Sequence, residues 1–174
     1  MNLVIIGFMG TGKSALGRAL AGELGYEFID ADQMIEAEYG KKISQIFQEE
    51  GEAFFRGLEN ELARKLSKDD RKVIATGGGW VLNSENIALS RINGFIISLI
   101  ARPEIIYERT KDEGHRPLLT GAEPMAKISR MLDQREGLYR DADLVVDTSR
   151  GTLAELTAKI IHELTRRGIV DGRV

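Results

Sequence analysis

Residues 3–14 read LVIIGFMGTGKS: four apolar residues, then a loop with Gly7, Gly10 and Gly12, then the pair Lys13-Ser14. Positions 7–14 satisfy G-x-x-x-x-G-K-[ST]. In such a loop the glycines let consecutive backbone N–H groups curl around phosphate oxygens, and the helix that follows points its positive end at them. Lys13 would reach the β- and γ-phosphates and Ser14 would hold Mg²⁺. The required context is strand, loop, helix, and LVII before with ALGRALAGEL after supplies it. A glycine-rich turn with an incidental Lys-Ser is the bland alternative, and this context argues against it.

Working outward, apolar runs alternate with amphipathic segments. Strands are expected at 3–6, 26–30, 73–76, 95–100 and 144–147, each short, rich in branched or aromatic residues and bounded by Gly, Asp or Asn. Helices are expected at 13–24, 32–39, about 44–67 in two pieces, 84–91, 103–112, 124–140 and 152–167. Gly25, Gly40, Gly51 and Gly168 fall at helix C-termini, and Pro103 suits a first turn. Strand–helix alternation implies a parallel sheet with helices on both faces, and the nearly continuous apolar strands 3–6 and 95–100 fit burial on both sides. The stretch 112–123, DEGHRPLLTGAE, has no clear periodicity and reads as a lid. The tail RRGIVDGRV reads as a fraying terminus.

Composition narrows the function. The 174 residues, 43% hydrophobic, suit one domain over 1–174. A net charge of -3 disfavours a nucleic-acid partner. Zero cysteines exclude a disulfide framework and a thiolate nucleophile, and two histidines make a multi-histidine metal centre improbable. No basic leader and no membrane-length apolar run are present, so a soluble, cytoplasmic protein without a membrane partner is expected. No N-K-x-D motif marks a switch GTPase. The short chain and the lid favour a kinase for a small molecule or nucleotide.

P-loop proteins usually place a metal-organising Asp at the end of a second apolar strand. VIAT ends in Thr76 instead. Asp147 ends the last strand, a poor neighbour for the first. Asp30 and Asp32, in FIDAD, are better candidates: alternation across a strand end would turn both into one cleft. One would organise Mg²⁺ and the other would accept a proton from an attacking hydroxyl. Alternatively, Asp32 is the N-cap of the following helix. VIATGGGW, residues 73–80, asks for bare backbone at the strand's C-terminal edge, beside the chain's only tryptophan.

GFMGTGKS, FIDAD, IFQEEGEAFFRGLE, VIATGGGW, GHRPLL and REGLYRDAD, in this order and spacing, resemble the shikimate kinase family from residue 7 to about 143. The resemblance implies a three-layer α/β/α fold with a five-stranded parallel sheet of the nucleoside-monophosphate-kinase type, a lid, and a substrate-binding helical segment at about 31–61. It implies transfer of the γ-phosphoryl of ATP to the 3-hydroxyl of shikimate, on the route to chorismate. It assigns Gly10, Thr11, Gly12, Lys13, Ser14 and Ala15 to the nucleotide, with Lys13 and Ser14 on phosphate and Mg²⁺ and Asp30 in the metal's surroundings. Asp32 would bind substrate hydroxyls and serve as base. Arg56, oriented by Glu59, and Arg135 would clamp the carboxylate, which suits the fork of two guanidinium groups. Gly77, Gly78 and Gly79 would form a floor for a flat ring. Arg116 is implied as a catalytic lid arginine that closes on the phosphates, and Arg109 would lie near the adenine, with Arg150 as a further candidate there.

Each assignment has a bland counterpart. Arg56 and Arg135 would be solvated residues paired with acidic neighbours, Arg116 would stiffen a loop before Pro117, and Arg109 would be one charge of an ordinary amphipathic helix beside Glu108 and Lys111. Met9, Phe47, Phe54 and Phe55 would wall a pocket or fill a core. Trp80 would narrow the floor or pack behind it. His162 is expected to be structural, and His115 has no derived role. A gluconate kinase, or a regulatory module that binds nucleotide without transfer, shares the phosphate loop. The expected partners are shikimate and ATP, and nothing calls for more than a monomer.

Overall fold

The computed structural model describes residues 1–111 and 123–171. Of the expected lid only Glu123 falls among them; His115 and Arg116 lie outside the described residues.

Five strands, β1 (Asn2–Gly7), β2 (Glu27–Asp30), β3 (Lys72–Ala75), β4 (Gly94–Ile100) and β5 (Leu144–Asp147), form one parallel sheet in the order β2-β3-β1-β4-β5. β1 is buried at all six positions because it lies at the centre with neighbours on both sides. Its alternate residues face opposite layers. Leu3 and Ile5 join Leu16, Leu20, Ile160 and Leu164, from α1 (Lys13–Leu24) and α8 (Leu153–Arg166). Val4 and Ile6 join side chains of α2 (Ala31–Tyr39), α4 (Glu52–Leu66), α6 (Pro103–Thr110) and α7 (Pro124–Arg140). Burying each such Leu or Ile contributes about 1.5–3 kcal/mol, so two faces of branched residues fix this three-layer stack. α3 (Ile43–Glu49) and α5 (Ser84–Ile92) complete the described helices.

The connections after β1 and after β3 leave towards opposite edges of the sheet, since β2 lies beyond β3 and β4 lies on β1's other side. That reversal opens a crevice at the C-terminal end of β1, where open α/β sheets bind ligands. The glycine ends hold as expected. Gly25 and Gly40 adopt left-handed φ values of 63° and 73°, and their N–H groups close on Ala21 O and Glu36 O.

Three expectations change. β2 stops at Asp30, whose side chain accepts from Gln33 N, so α2 begins at Ala31 and Asp32 lies in its first turn. Asp30, not Asp32, is the N-cap, and the pair is not placed by strand alternation. The tail does not fray directly after α8: Val170 is 8% exposed and Ile169 packs beside it in the core. His162 lies within α8 and is exposed. Among the described residues, no helix is long and apolar enough to cross a membrane.

Candidate active site

The loop after β1 is shaped by crowding on one side and openness on the other. A Cβ at Gly7 would meet Leu99 O at 2.5 Å and Thr11 Oγ1 at 2.8 Å, so only glycine fits. Among the described residues, Gly12, at φ 92°, has open space where a side chain would stand, and it begins α1 without a side-chain cap. The first-turn amides of a helix have no intrahelical partner, which leaves them to a ligand. Lys13 Nζ lies across the loop, donating to Gly7 O at 2.9 Å and Phe8 O at 3.1 Å. Ser14 Oγ donates to Asp30 Oδ2 at 2.7 Å, which joins the start of α1 to the end of β2. Thr11 is buried, its hydroxyl donating to Phe8 O, while Ala15 is exposed at the rim.

The triple glycine follows β3, where Thr76 N and Oγ1 both donate to Ile5 O. A Cβ at Gly77 would lie 2.7 Å from both Asp32 Oδ1 and Glu59 Oε1, so two carboxylates converge on that glycine. A Cβ at Gly79 would collide with the Arg56 guanidinium. A Cβ at Gly78 would lie 3.4 Å from Met9 N, so the floor abuts the phosphate loop. Arg135 reaches towards Gly78 O at 3.5 Å and lies over the Phe8 ring. One helical turn later the buried Tyr139 donates to the same carbonyl at 2.8 Å. Trp80 packs behind the floor, 1% exposed, with its indole N–H on Ser90 Oγ at 3.2 Å. It does not narrow the cleft.

Arg56 is not a solvated surface charge. Its Nη1 donates to Glu59 Oε2 and its Nη2 to Glu52 Oε1, both at 2.7 Å, and Glu59 is fully buried. Among the described residues, Glu59 Oε1 has no hydrogen-bond partner. Burial pushes the Glu59 carboxyl above the usual carboxylate range, against the pull of Arg56. Burial also raises Asp32, with Lys13 pulling it down and Asp30 pushing it up. A carboxylate whose proton affinity is raised beside a phosphate-binding lysine can accept a proton from a hydroxyl.

Arg109 departs from the amphipathic-helix alternative. Its Nη1 donates to Gly10 O and Thr148 Oγ1, each at 3.2 Å, and its Nη2 to Thr148 O at 2.7 Å. Arg150 is exposed past β5, where its charge falls on Asp147. Asp147 itself accepts from Ser149 N on the edge strand, with β4, β1 and β3 between it and β2. Phe55 is core, whereas Phe47 and Phe54 are exposed, with Phe54 against Tyr39. Tyr139 and Thr148 are the polar residues of the site that sequence reasoning missed. Their partners lie 61 and 137 residues away in the chain, so no local pattern announces them.

Known proteins resemble this chain over nearly its whole length. The family model described as shikimate kinase covers residues 9–165. A shikimate kinase of Pelotomaculum thermopropionicum is 46% identical over 170 residues, 98% of this chain and 99% of the relative. One from Symbiobacterium thermophilum is 42% identical, covering 97% and 98%. The solved shikimate kinase from Acinetobacter baumannii in complex with shikimate superposes with a TM-score of 0.91 at 35% identity, over 95% of this chain and 93% of that one. A gluconokinase from Sinorhizobium meliloti shares the fold at a TM-score of 0.61 and 19% identity, with 95% and 92% covered.

Proposed function

The chain belongs to the shikimate kinase family, and from that premise we propose that it transfers the γ-phosphoryl group of ATP to the 3-hydroxyl of shikimate, giving shikimate 3-phosphate and ADP. The observation that carries the reading is the junction at Gly78, where the bare glycine floor abuts the phosphate loop at Met9 N. An acceptor lying on that floor is next to a phosphate held by the loop.

The assignments around that junction follow from its chemistry. The open amides of the Gly12 turn and Lys13 hold the β- and γ-phosphates, and lysine leaves its carbonyl perches to do so. Ser14 and Asp30 fit Mg²⁺, which binds through few protein oxygens together with phosphate oxygens and water. The ion supplies charge neutralisation on the phosphates. Asp32 accepts the hydroxyl proton, and Arg56 and Arg135 pair with the substrate carboxylate on either side of the floor. Glu59 holds Arg56 over Gly79. Arg109 lies behind the loop on the nucleotide side, and Arg116 and Arg150 are assigned to the phosphates and the base by resemblance alone. All these residues belong to one chain, so a monomer suffices, working in the cytoplasm.

The test is ADP release from Mg-ATP by the purified protein with shikimate, with gluconate and with neither. Release that requires shikimate supports the reading; release with gluconate alone keeps the kinase and removes the ring substrate.

A further inference from the structure

Thr148 follows β5 and has no role in the assignments above. Its side chain is 97% hidden, being 3% exposed, and it meets the phosphate loop from behind. Its hydroxyl donates to Thr11 O at 2.9 Å and lies 3.3 Å from Ile100 O, while Arg109 Nη1 donates to it at 3.2 Å. A threonine hydroxyl has one proton to give. The guanidinium has none to receive, so it takes an Oγ1 lone pair and leaves the proton for the nearer carbonyl, Thr11 O.

That bond orients a peptide. In a planar trans peptide the N–H points opposite to the C=O, so tying Thr11 O backwards aims the Gly12 N–H forwards. Forwards is away from the buried Thr148, at the exposed Gly12 that begins α1. The neighbouring Gly10 carbonyl is tied the same way by Arg109. A flexible glycine loop does not hold such an orientation by itself, because glycine is permissive at every φ it needs here.

We propose that Thr148 is a positioning residue of the phosphate site: its hydroxyl, polarised by Arg109, locks the Thr11–Gly12 peptide so that Gly12 N–H faces the phosphates. The proposal rests on the nucleotide half of the function above and is indifferent to the acceptor. Thr148 touches no ligand in this assignment. Its backbone N–H bonds to Ile100 O at 2.8 Å whatever the side chain, so a Val at this position keeps the strand connection and removes only the hydroxyl.

The experiment is calorimetric titration of ADP, and separately of inorganic tripolyphosphate, each with Mg²⁺, into the wild type, Thr148→Val and Thr148→Ser. Loss of one such hydrogen bond should weaken both ligands in Thr148→Val by about 3- to 10-fold and by a common factor. Thr148→Ser, which keeps the hydroxyl, should bind both as the wild type does. In turnover, the KM for ATP should rise with the KM for shikimate unchanged. Wild-type affinity in Thr148→Val overturns the proposal. So does weakening of ADP without tripolyphosphate, which would place the effect at the base, and so does an equal loss at both substrate sites with a lowered melting temperature, which would make the hydroxyl merely structural. Titration needs no acceptor, so a protein that phosphorylates something other than shikimate still gives a definite answer.

Discussion

Ser14 Oγ and Asp30 Oδ2 are joined by a 2.7 Å hydrogen bond that spans from the first turn of α1 to the end of β2. The same Asp30 caps α2 through its other oxygen, which accepts from Gln33 N. One carboxylate thus ties the start of α1 to the start of the helix that carries Asp32.

Asp30→Asn separates these duties, because Asn still caps a helix. The fold should persist, with a melting temperature near that of the wild type. The Mg²⁺ concentration needed for half-maximal turnover should rise by about 10- to 100-fold, as for other groups that orient a metal's ligands. Titrating turnover against Mg²⁺ at saturating ATP decides it; an unshifted curve would remove Asp30 from the metal's surroundings.

Gly77→Ala inserts a methyl group 2.7 Å from both Asp32 Oδ1 and Glu59 Oε1. Both carboxylates must move, and with Glu59 goes its 2.7 Å hold on Arg56. Hydrogen bonds to charged groups contribute about 1.5–3 kcal/mol, so the KM for shikimate should rise by about 10- to 150-fold. ADP affinity, measured alone, should stay put. Equal losses for both ligands would argue that the floor is scaffold rather than binding surface.

Asp32 gives a signed pH dependence. Burial holds its carboxyl above the ordinary 3.8, with Lys13 opposing. Between 3.8 and that raised value the native state binds more protons than the unfolded chain, so the Asp32 contribution to stability falls as pH rises through this window. Above it the side chain is charged and desolvated. Asp32→Asn should therefore raise the melting temperature at neutral pH while lowering turnover by about 10²- to 10⁴-fold. In the wild type, kcat/KM should fall on acidification with a midpoint above that of an ordinary aspartate. Near-normal turnover in Asp32→Asn would take the base role away.

Arg135→Ala tests the carboxylate clamp. Arg135 approaches Gly78 O from α7 and rests over Phe8, whereas the phosphates are assigned to the opposite side of that junction. The KM for shikimate should rise by at least about 10-fold, the loss expected for a charge-assisted pair, with the KM for ATP unchanged. If only the ATP term moved, Arg135 would belong to the nucleotide.

The helix and strand boundaries were legible to within a few residues because each is set locally. Glycines end helices by a left-handed turn, as Gly25 and Gly40 do, and Pro103 opens one. The phosphate loop was legible for the same reason, its constraint being the spacing of residues 7–14. Strand alternation is the wrong guide to Asp32, because the cap at Asp30 ends the strand and puts Asp32 in the first helical turn. By local pattern alone Arg109 is one charge among Glu108 and Lys111, and only the resemblance sets it near the adenine; its partners are Gly10 and Thr148, 99 and 39 residues away. Such contacts are products of sheet order, which brings β1 and β5 to the same end of β4, and no local periodicity encodes them. The packing of Val170 is likewise a property of the α1 and α8 layer, not of the polar tail around it.

The chain's one tryptophan stands directly after Gly79, sealed behind the floor with its indole tied to Ser90. The protein therefore carries its own optical reporter, unlabelled and unaccompanied by any other indole. A dry indole emits at short wavelength, and one braced against the surface assigned to the acceptor should change its emission when that surface is loaded. Equilibrium affinity for the acceptor should then be readable without turnover, in the Asp32→Asn protein as in the wild type.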